Sequence, residues 1–177
     1  LVTGVQTCAL PICVLSLPED SVNYFFRHFL WVMLLLGQTA WADIDHVKMS
    51  ANLQKDGGLA AQRGVPMVLM VSAEECPYCM VMESDYLVPM LRNRAYDSMV
   101  LIRKIHLDSF DEIIDFDGKE IAPTDLSQRY GVWVTPTLLF LNSEGEEVQK
   151  RMVGLGVRDF VSDFIDQSIA AATKFIQ

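Results

Sequence analysis

The residue types most suited to chemistry lie in the stretch EECPYCM, which begins at Glu74. Its two cysteines, Cys76 and Cys79, are separated by Pro77 and Tyr78. A pair at this spacing could supply two of the four ligands of a structural zinc ion, form a structural disulfide, or form and break disulfides with other molecules. The elements predicted on either side of the pair favour the third of these.

Before the pair, the continuous apolar run VPMVLMVS predicts a buried central strand. After it, MVMESDYLVPMLRNRAY predicts a helix that Pro89 interrupts or restarts. Cys76 would therefore open a helix, where the partial positive charge of the N-terminus lowers the pKa of a thiol. Cys79, one turn further, could attack a mixed disulfide on Cys76, and Pro77 in the first turn costs no hydrogen bond.

A second motif, VTPT from Val134 to Thr137, puts Pro136 directly before another predicted strand. A proline at this position suggests a cis peptide bond, which would turn the backbone sharply and expose its polar groups. The motif therefore predicts a backbone surface that another chain could contact.

The other elements follow from apolar periodicity and from turn residues. They are a helix from Met49 to Gly64 weakened by Gly57-Gly58, a strand from Met99 to Asp108, a turn at FDGK, a short helix capped near Thr124 and ended at Gly131, a hairpin with its turn at Asn142 to Gly145, and a final amphipathic helix with Phe160, Phe164, Ile165 and Ile169 on one side. The predicted order, α-β-α-β-α-β-β-α, indicates an α/β sandwich with helices on both faces of a mixed sheet.

From about Leu53 to the C-terminus, the chain resembles the thioredoxin superfamily. The resemblance lies in the CxxC pair after a central strand, the Thr-Pro pair before a hairpin, and Val153-Gly154 after the last strand. The chain is more closely similar to the SoxW-like secreted thioredoxins, which are relatives of the bacterial thiol:disulfide interchange proteins. The segments that carry this similarity are CPYCMVME, FDGK, YGVWVTPTLLFLNSEG and the VG before the last helix.

The resemblance implies a thioredoxin fold in which Cys76 and Cys79 are catalytic. It implies that Pro136 is cis and abuts the cysteines, with the backbone at Thr135 pairing with an extended substrate peptide; Pro77 and Tyr78 would also border the substrate. The expected partners are disulfide-containing periplasmic proteins and a membrane thiol electron donor. No metal or organic cofactor is expected.

The chain departs from this family at two positions beside the cysteines. Glu75 precedes Cys76 where thioredoxin has a tryptophan, and Met70 stands where thioredoxin has a buried aspartate. A proton relay through that acid is therefore in doubt, and Glu74 and Glu75 are expected to face solvent. CPYC is typical of glutaredoxins, but no glutathione site is evident.

Competing interpretations of the chemistry are weaker. A structural zinc ion needs four ligands, and His46 and His106 are the only histidines after the leader. A structural disulfide would close too small a loop to stabilise much. The methionines are expected in the core rather than on copper; they are Met67, Met70, Met80 and Met82. Trp133 is expected either to border the active site or simply to pack.

The N-terminal part of the chain is interpreted as two segments that do not belong to the domain. Residues 1–13 resemble a translated sequencing adapter, the alternative being a disordered native extension. Residues 22–42 have the layout of a signal peptide, with Arg27 and His28, an apolar run, and the A-x-A signal ending at Ala42. An uncleaved anchor or a buried helix is the alternative. Cleavage would leave residues 43–177 as one thioredoxin-like domain in the periplasm, where disulfides persist.

The net charge of −9 contains no basic stripe, which argues against nucleic acid as a partner. The acidic stretch from Asp108 to Glu120 is expected to be a solvated loop rather than a metal site. A monomer is expected. The function is expected to be the reduction of protein disulfides; a disulfide oxidase or isomerase using the same residues, and a non-catalytic peptide-binding module, stay open.

Overall fold

A computed structural model describes residues 45–177, and these belong to one compact unit, Asp43–Gln177. The predictions for residues 1–13 and 22–42 lie outside the described residues. Within residues 45–177 no helix combines the length and the apolar character that a membrane crossing requires.

The core of the domain is a four-stranded mixed sheet with the strand order β2-β1-β5-β6. The strands are β1 Met67–Ser72, β2 Leu101–His106, β3 Ile113–Ile114, β4 Glu120–Ile121, β5 Thr137–Leu141 and β6 Glu147–Val153. β1 pairs with β2 in parallel and with β5 antiparallel, and β5 pairs with β6 antiparallel. β3 and β4 form a separate small hairpin.

Helices connect and cover these strands. The α-helices are α1 Leu53–Arg63, α2 Pro77–Val81, α3 Val88–Arg92, α4 Pro123–Arg129 and α5 Val161–Ile176. A π-helical segment, Met82–Leu87, joins α2 to α3, and two 3₁₀ turns cover Arg94–Ser98 and Arg158–Phe160. Pro89 lies in the first turn of α3 and has no N–H to bond to the preceding turn, which accounts for the wider π turn before it.

β1 is the central strand, as its continuous apolar sequence predicts, and all six of its residues are buried. Because side chains alternate along a strand, it feeds a core on each face. Val68 and Met70 pack in the core that contains both cysteines and α5. Met67 and Leu69 pack in the other core, with α1 and α4. The predicted mixed sheet with helices on both faces, a thioredoxin fold, is confirmed.

The segment before α1 lies beside β2 and covers the edge of the sheet. The Lys104 amide donates to the Lys48 carbonyl over 3.0 Å, and the Ser50 amide donates to the Lys104 carbonyl over 2.8 Å. Val47 is fully buried in the cysteine-side core. Pairing of this kind protects an edge strand from pairing with other molecules.

Two local predictions were wrong in detail. The last helix begins at Val161, so Phe160 precedes it and is 65% exposed instead of lining the buried side. The short helix α4 begins at Pro123 with Ala122 as its N-cap, two residues before the predicted cap near Thr124. Pro123 fits there because the first helical residues need no N–H partner within the helix.

The acidic stretch from Asp108 to Glu120 is not a uniformly solvated loop. It contains the β3–β4 hairpin, and Asp115 in that hairpin is only 4% exposed. Asp115 is held by two hydrogen bonds from the guanidinium of Arg129, a residue 14 positions later on α4. The prediction failed because a carboxylate can be buried where a cation from another element pairs with it.

Candidate active site

Cys76 and Cys79 form a disulfide with an S–S distance of 2.03 Å. Both are buried, at 8% and 3% exposure, in the core beneath the first turn of α2. Cys76 is the N-cap of α2, and its sulfur accepts a hydrogen bond from the Cys79 amide over 3.2 Å. When the pair is reduced, the same amide is placed to stabilise negative charge on the Cys76 sulfur.

The local sequence explains why α2 begins here. Cys76 has extended backbone angles, φ −122° and ψ 95°, at the end of the chain segment that leaves β1. Pro77 occupies the first helical position, where its fixed φ suits a helix and its missing N–H costs nothing. The strand-to-helix junction that the sequence predicts is therefore confirmed.

The peptide bond between Thr135 and Pro136 is cis, as the VTPT motif predicts. It lies beside the cysteines, since the Thr135 hydroxyl donates to the Cys76 sulfur over 3.5 Å. The Pro136 carbonyl accepts from the Gly154 amide over 2.7 Å, which ties the loop after β6 to the same place. The Thr135–Pro136 segment and the loop after β6 are both far from Cys76 in sequence. They are thus brought to the N-terminal end of α2.

Apolar side chains around the disulfide are unusually exposed. Tyr78 is 64% exposed, Trp133 77% and Val134 52%. Met80 was expected in the core and is instead 69% exposed; that prediction was wrong. The reason is helical spacing: Cys76, Cys79 and Met82 face the core at three-residue intervals, and Met80, one residue after Cys79, lies to the side of this buried stripe.

Two glutamates directly precede Cys76 in the sequence, and a third carboxylate is bonded to the same loop. Glu74 and Glu75 are both exposed, as expected. The Glu74 amide donates to both oxygens of Asp108, at 3.2 Å each, and so fixes Asp108 next to this loop. Asp108 was predicted only as part of the acidic loop and not as a residue of the site. Asp108 follows the end of β2 by two residues, and because β2 is parallel to β1, this position places it at the same end of the sheet as Glu74.

Met70 is fully buried in the cysteine-side core, so the position of thioredoxin's buried acid is apolar here. The carboxylate closest in sequence on the inner side of the helix is Glu83, four residues after Cys79. Glu83 is mostly buried and forms an ion pair with Lys104 of β2 at 2.8 Å. Glu83 could have been identified from the sequence by its i, i+4 spacing from Cys79, because residues at this spacing are neighbours on a helix surface.

A second polar cluster surrounds Arg129 and is called here the Arg129 region: Asp115, Phe116, Arg129, Tyr130 and Gly145. It lines an open depression of about 780 Å³. The Arg129 guanidinium holds the pKa of Asp115 below its usual range, and burial raises the pKa of Tyr130. The Tyr130 hydroxyl donates to the Gly145 carbonyl over 2.5 Å.

Among residues 45–177, no three His, Cys, Asp or Glu side chains are grouped to hold a metal ion. His46 lies in the exposed N-terminal segment beside Asp45, and His106 ends β2 opposite Ser72. The two histidines and the cysteine pair are therefore not assembled as a four-ligand site in the part of the chain that the structure describes.

Residues 53–166 match the family described as thioredoxin-like domain, and the chain therefore belongs to that family. The chain is also similar to several solved structures. DsbH oxidoreductase superposes with a TM-score of 0.50 and 16% identity over 77% of this chain and 92% of that one. A thioredoxin-like protein from Clostridium perfringens gives 0.48 and 20% identity over 75% and 90%. Poplar thioredoxin h gives 0.45 and 19% identity over 64% and 85%.

No curated protein matches the chain. What the family and the geometry establish together is a thioredoxin-like domain whose CxxC pair, Cys76 and Cys79, is in disulfide geometry.

Proposed function

We propose that this protein is a secreted, periplasmic thiol:disulfide oxidoreductase of the SoxW-like kind, which reduces disulfides in other proteins. One observation carries the proposal above the others: the Cys76–Cys79 disulfide at a helix start lies against the cis Thr135–Pro136 bond. The predicted signal peptide in residues 22–42 supports the location.

Cys76 is the nucleophile in this proposal. Its thiolate attacks one sulfur of the substrate disulfide, a bond forms between the two sulfurs, and the other substrate sulfur leaves as a thiolate that takes a proton from water. The Cys79 amide and the Thr135 hydroxyl, at 3.2 and 3.5 Å from the Cys76 sulfur, stabilise its charge.

Cys79 resolves the mixed disulfide. Its thiolate attacks the Cys76 sulfur, the second substrate thiol is released, and the protein is left with the Cys76–Cys79 disulfide. The substrate has gained two electrons and two protons, and the protein has lost them. A membrane thiol donor returns them by the same exchange chemistry, so no metal or organic cofactor takes part.

Pro77, Tyr78, Thr135 and Pro136 border the substrate. The backbone at Thr135 pairs with an extended substrate segment that carries the target cystine. Exposed Tyr78, beside Cys76, offers apolar contact area to the same segment. The protein works as a monomer in this proposal.

The test is the reduction potential of the Cys76–Cys79 pair, measured on residues 43–177 by equilibration with glutathione or dithiothreitol buffers. A value near −270 mV, like that of thioredoxin, agrees with a reductase supplied by a membrane donor. A value near −120 mV would make the protein a disulfide-forming oxidase. Failure of the pair to exchange at all would leave only a peptide-binding module.

A further inference from the structure

Resting on the proposed function, we infer the class of substrate: the surface around Cys76 selects polypeptide segments that carry Lys or Arg and an aromatic or aliphatic side chain next to the reacting cystine. The surface is called here the docking rim. It has an apolar part, Tyr78, Trp133 and Val134, and an acidic part, Glu74, Glu75 and Asp108.

The two parts of the docking rim meet at Cys76. Tyr78 follows Cys76 by two residues, and Glu75 precedes it directly. Trp133 and Val134 precede Thr135, whose hydroxyl contacts the Cys76 sulfur. Asp108 is fixed to the other side by the Glu74 amide. A segment that reaches the disulfide therefore contacts apolar side chains on one side and carboxylates on the other.

The aromatic side chains in the apolar part of the docking rim are too exposed to contribute much to the stability of the fold. Trp133 is 77% exposed and Tyr78 is 64% exposed, although both could bury large areas. Aromatic side chains left on the surface beside a reactive group are the usual anchors of a protein-binding surface, because their burial is stabilising and costs little side-chain entropy.

The charge near the disulfide is one-sided. The three short chain segments that carry the docking rim, 72–80, 106–110 and 132–137, contain no Lys or Arg. The loop after β6 contributes Arg158, whose carbonyl accepts from the Tyr86 hydroxyl on the π-helical segment. The acidic part of the docking rim therefore faces solvent without basic residues from these three segments, and it attracts a basic segment.

This arrangement distinguishes the chain from an indiscriminate reductase. Charges that approach within a Debye length of about 8 Å raise the association rate of a complementary partner and lower that of a like-charged one. Glu74 and Glu75 lie within two residues of Cys76 in sequence, and Asp108 accepts hydrogen bonds from the Glu74 amide. These carboxylates therefore act on the segment next to the cystine and not on the substrate as a whole.

The experiment compares three peptides, each closed into the same ring by one disulfide. They differ in the two residues next to the reacting cystine, which are Lys-Trp, Glu-Trp or Lys-Gly. Reduced protein is mixed with each peptide at low and at 0.3 M salt, and the second-order exchange rate constant is measured. The neutral bis(2-hydroxyethyl) disulfide reports the basal chemistry of the cysteines. Because both thiol–disulfide directions use the same encounter, the assay does not depend on the direction in the cell.

We expect the Lys-Trp peptide to react at least about tenfold faster than the Glu-Trp peptide at low salt, and the ratio to approach one at high salt. Glu74→Gln/Glu75→Gln removes most of the ratio after normalisation to the neutral disulfide. Glu144→Gln/Glu146→Gln makes the same charge change in the β5–β6 turn, at the other end of the sheet, and preserves the ratio. Trp133→Ala removes the advantage of Lys-Trp over Lys-Gly.

A ratio within twofold at low salt, or one unchanged in Glu74→Gln/Glu75→Gln, would overturn the inference while the proposed function stands. A preference for the Glu-Trp peptide would overturn it as well. No reaction with the neutral disulfide would instead overturn the proposed function itself.

Discussion

The two polar clusters of this domain are built in opposite ways. Around Cys76, one short edge of the sheet carries exposed aromatic side chains and carboxylates aimed at solvent. In the Arg129 region, the carboxylate of Asp115, the guanidinium of Arg129 and the hydroxyl of Tyr130 all bond to other parts of the same chain. The exposed groups around Cys76 remain accessible to a binding partner. The groups of the Arg129 region are already bonded to other parts of the domain.

The difference predicts which substitutions will change reaction rates and which will change stability. A group bonded inside the fold loses that bond when it is removed, so the free energy of unfolding falls. A group that faces solvent costs little to remove but is available to a partner. Substitutions beside Cys76 should therefore change reaction rates, and substitutions in the Arg129 region should change stability.

The largest expected effect is on the redox side of this comparison. Cys76→Ser should lower the rate of insulin disulfide reduction by at least about 1,000-fold, because the nucleophile is removed. Cys79→Ser should instead accumulate mixed disulfides, detectable on non-reducing gels and by mass spectrometry, since the resolving thiol is gone. Insulin reduction by Cys76→Ser at the wild-type rate would show that the roles are assigned wrongly.

Gly145→Ala should have the largest effect on the stability side. Gly145 has φ +85°, and an added Cβ would lie 2.7 Å from two ring carbons of Phe116 and closer to a third. We expect a loss of about 3 kcal/mol in urea unfolding, the sum of backbone strain and overlap. Gly131→Ala is the matched control: its φ is +65° with open space around the new Cβ, so about 1 kcal/mol is expected. Equal losses would contradict the steric explanation.

Arg129→Gln tests the buried carboxylate. We expect a loss of about 2 kcal/mol at pH 7, because Asp115 is left buried without its cation while Arg129 itself is half exposed. The folded pKa of Asp115 is lowered, so its stabilisation is present above the unfolded pKa of about 3.9 and is lost as pH falls through the folded pKa.

The variant should accordingly show a smaller loss of stability between pH 5 and pH 2 than the wild type. Lys119→Gln is the control, since the Lys119–Asp117 pair is exposed and screened by solvent and should leave stability nearly unchanged. Unchanged acid sensitivity in Arg129→Gln would mean that Asp115 does not carry this part of the pH dependence.

The smallest expected effect is that of Tyr130→Phe. It removes one hydroxyl and its bond to the Gly145 carbonyl, and we expect a loss of about 1 kcal/mol in the same unfolding measurement. Insulin reduction should stay at the wild-type rate. A lower rate of insulin reduction with unchanged stability would show that Tyr130 acts in the reaction. It would contradict the assignment of the Arg129 region to stability.

Much of the fold and of the candidate site follows from local sequence. β1 is fully apolar and therefore central, Cys76 and Pro77 form a strand-to-helix junction, and Pro136 before β5 is cis. Each of these rests on a few consecutive residues with strong backbone or burial preferences. The burial of the acidic Asp115 and of the apolar Met80 was predicted wrongly. Whether either side chain is buried depends on which distant elements pack against its own hairpin or helix.

The sequence by itself thus determined the order of the main elements, without the β3–β4 hairpin, together with the CxxC pair at a helix start and the cis proline, and its resemblance to a known family determined the thioredoxin fold class. Only the tertiary structure decided that Thr135 contacts the Cys76 sulfur across 59 positions of sequence, that Arg129 covers Asp115, and that Met80 faces solvent. The physical reason is range. Periodicity and turn chemistry act between near neighbours, whereas burial and ion pairing depend on which distant element arrives at the same place.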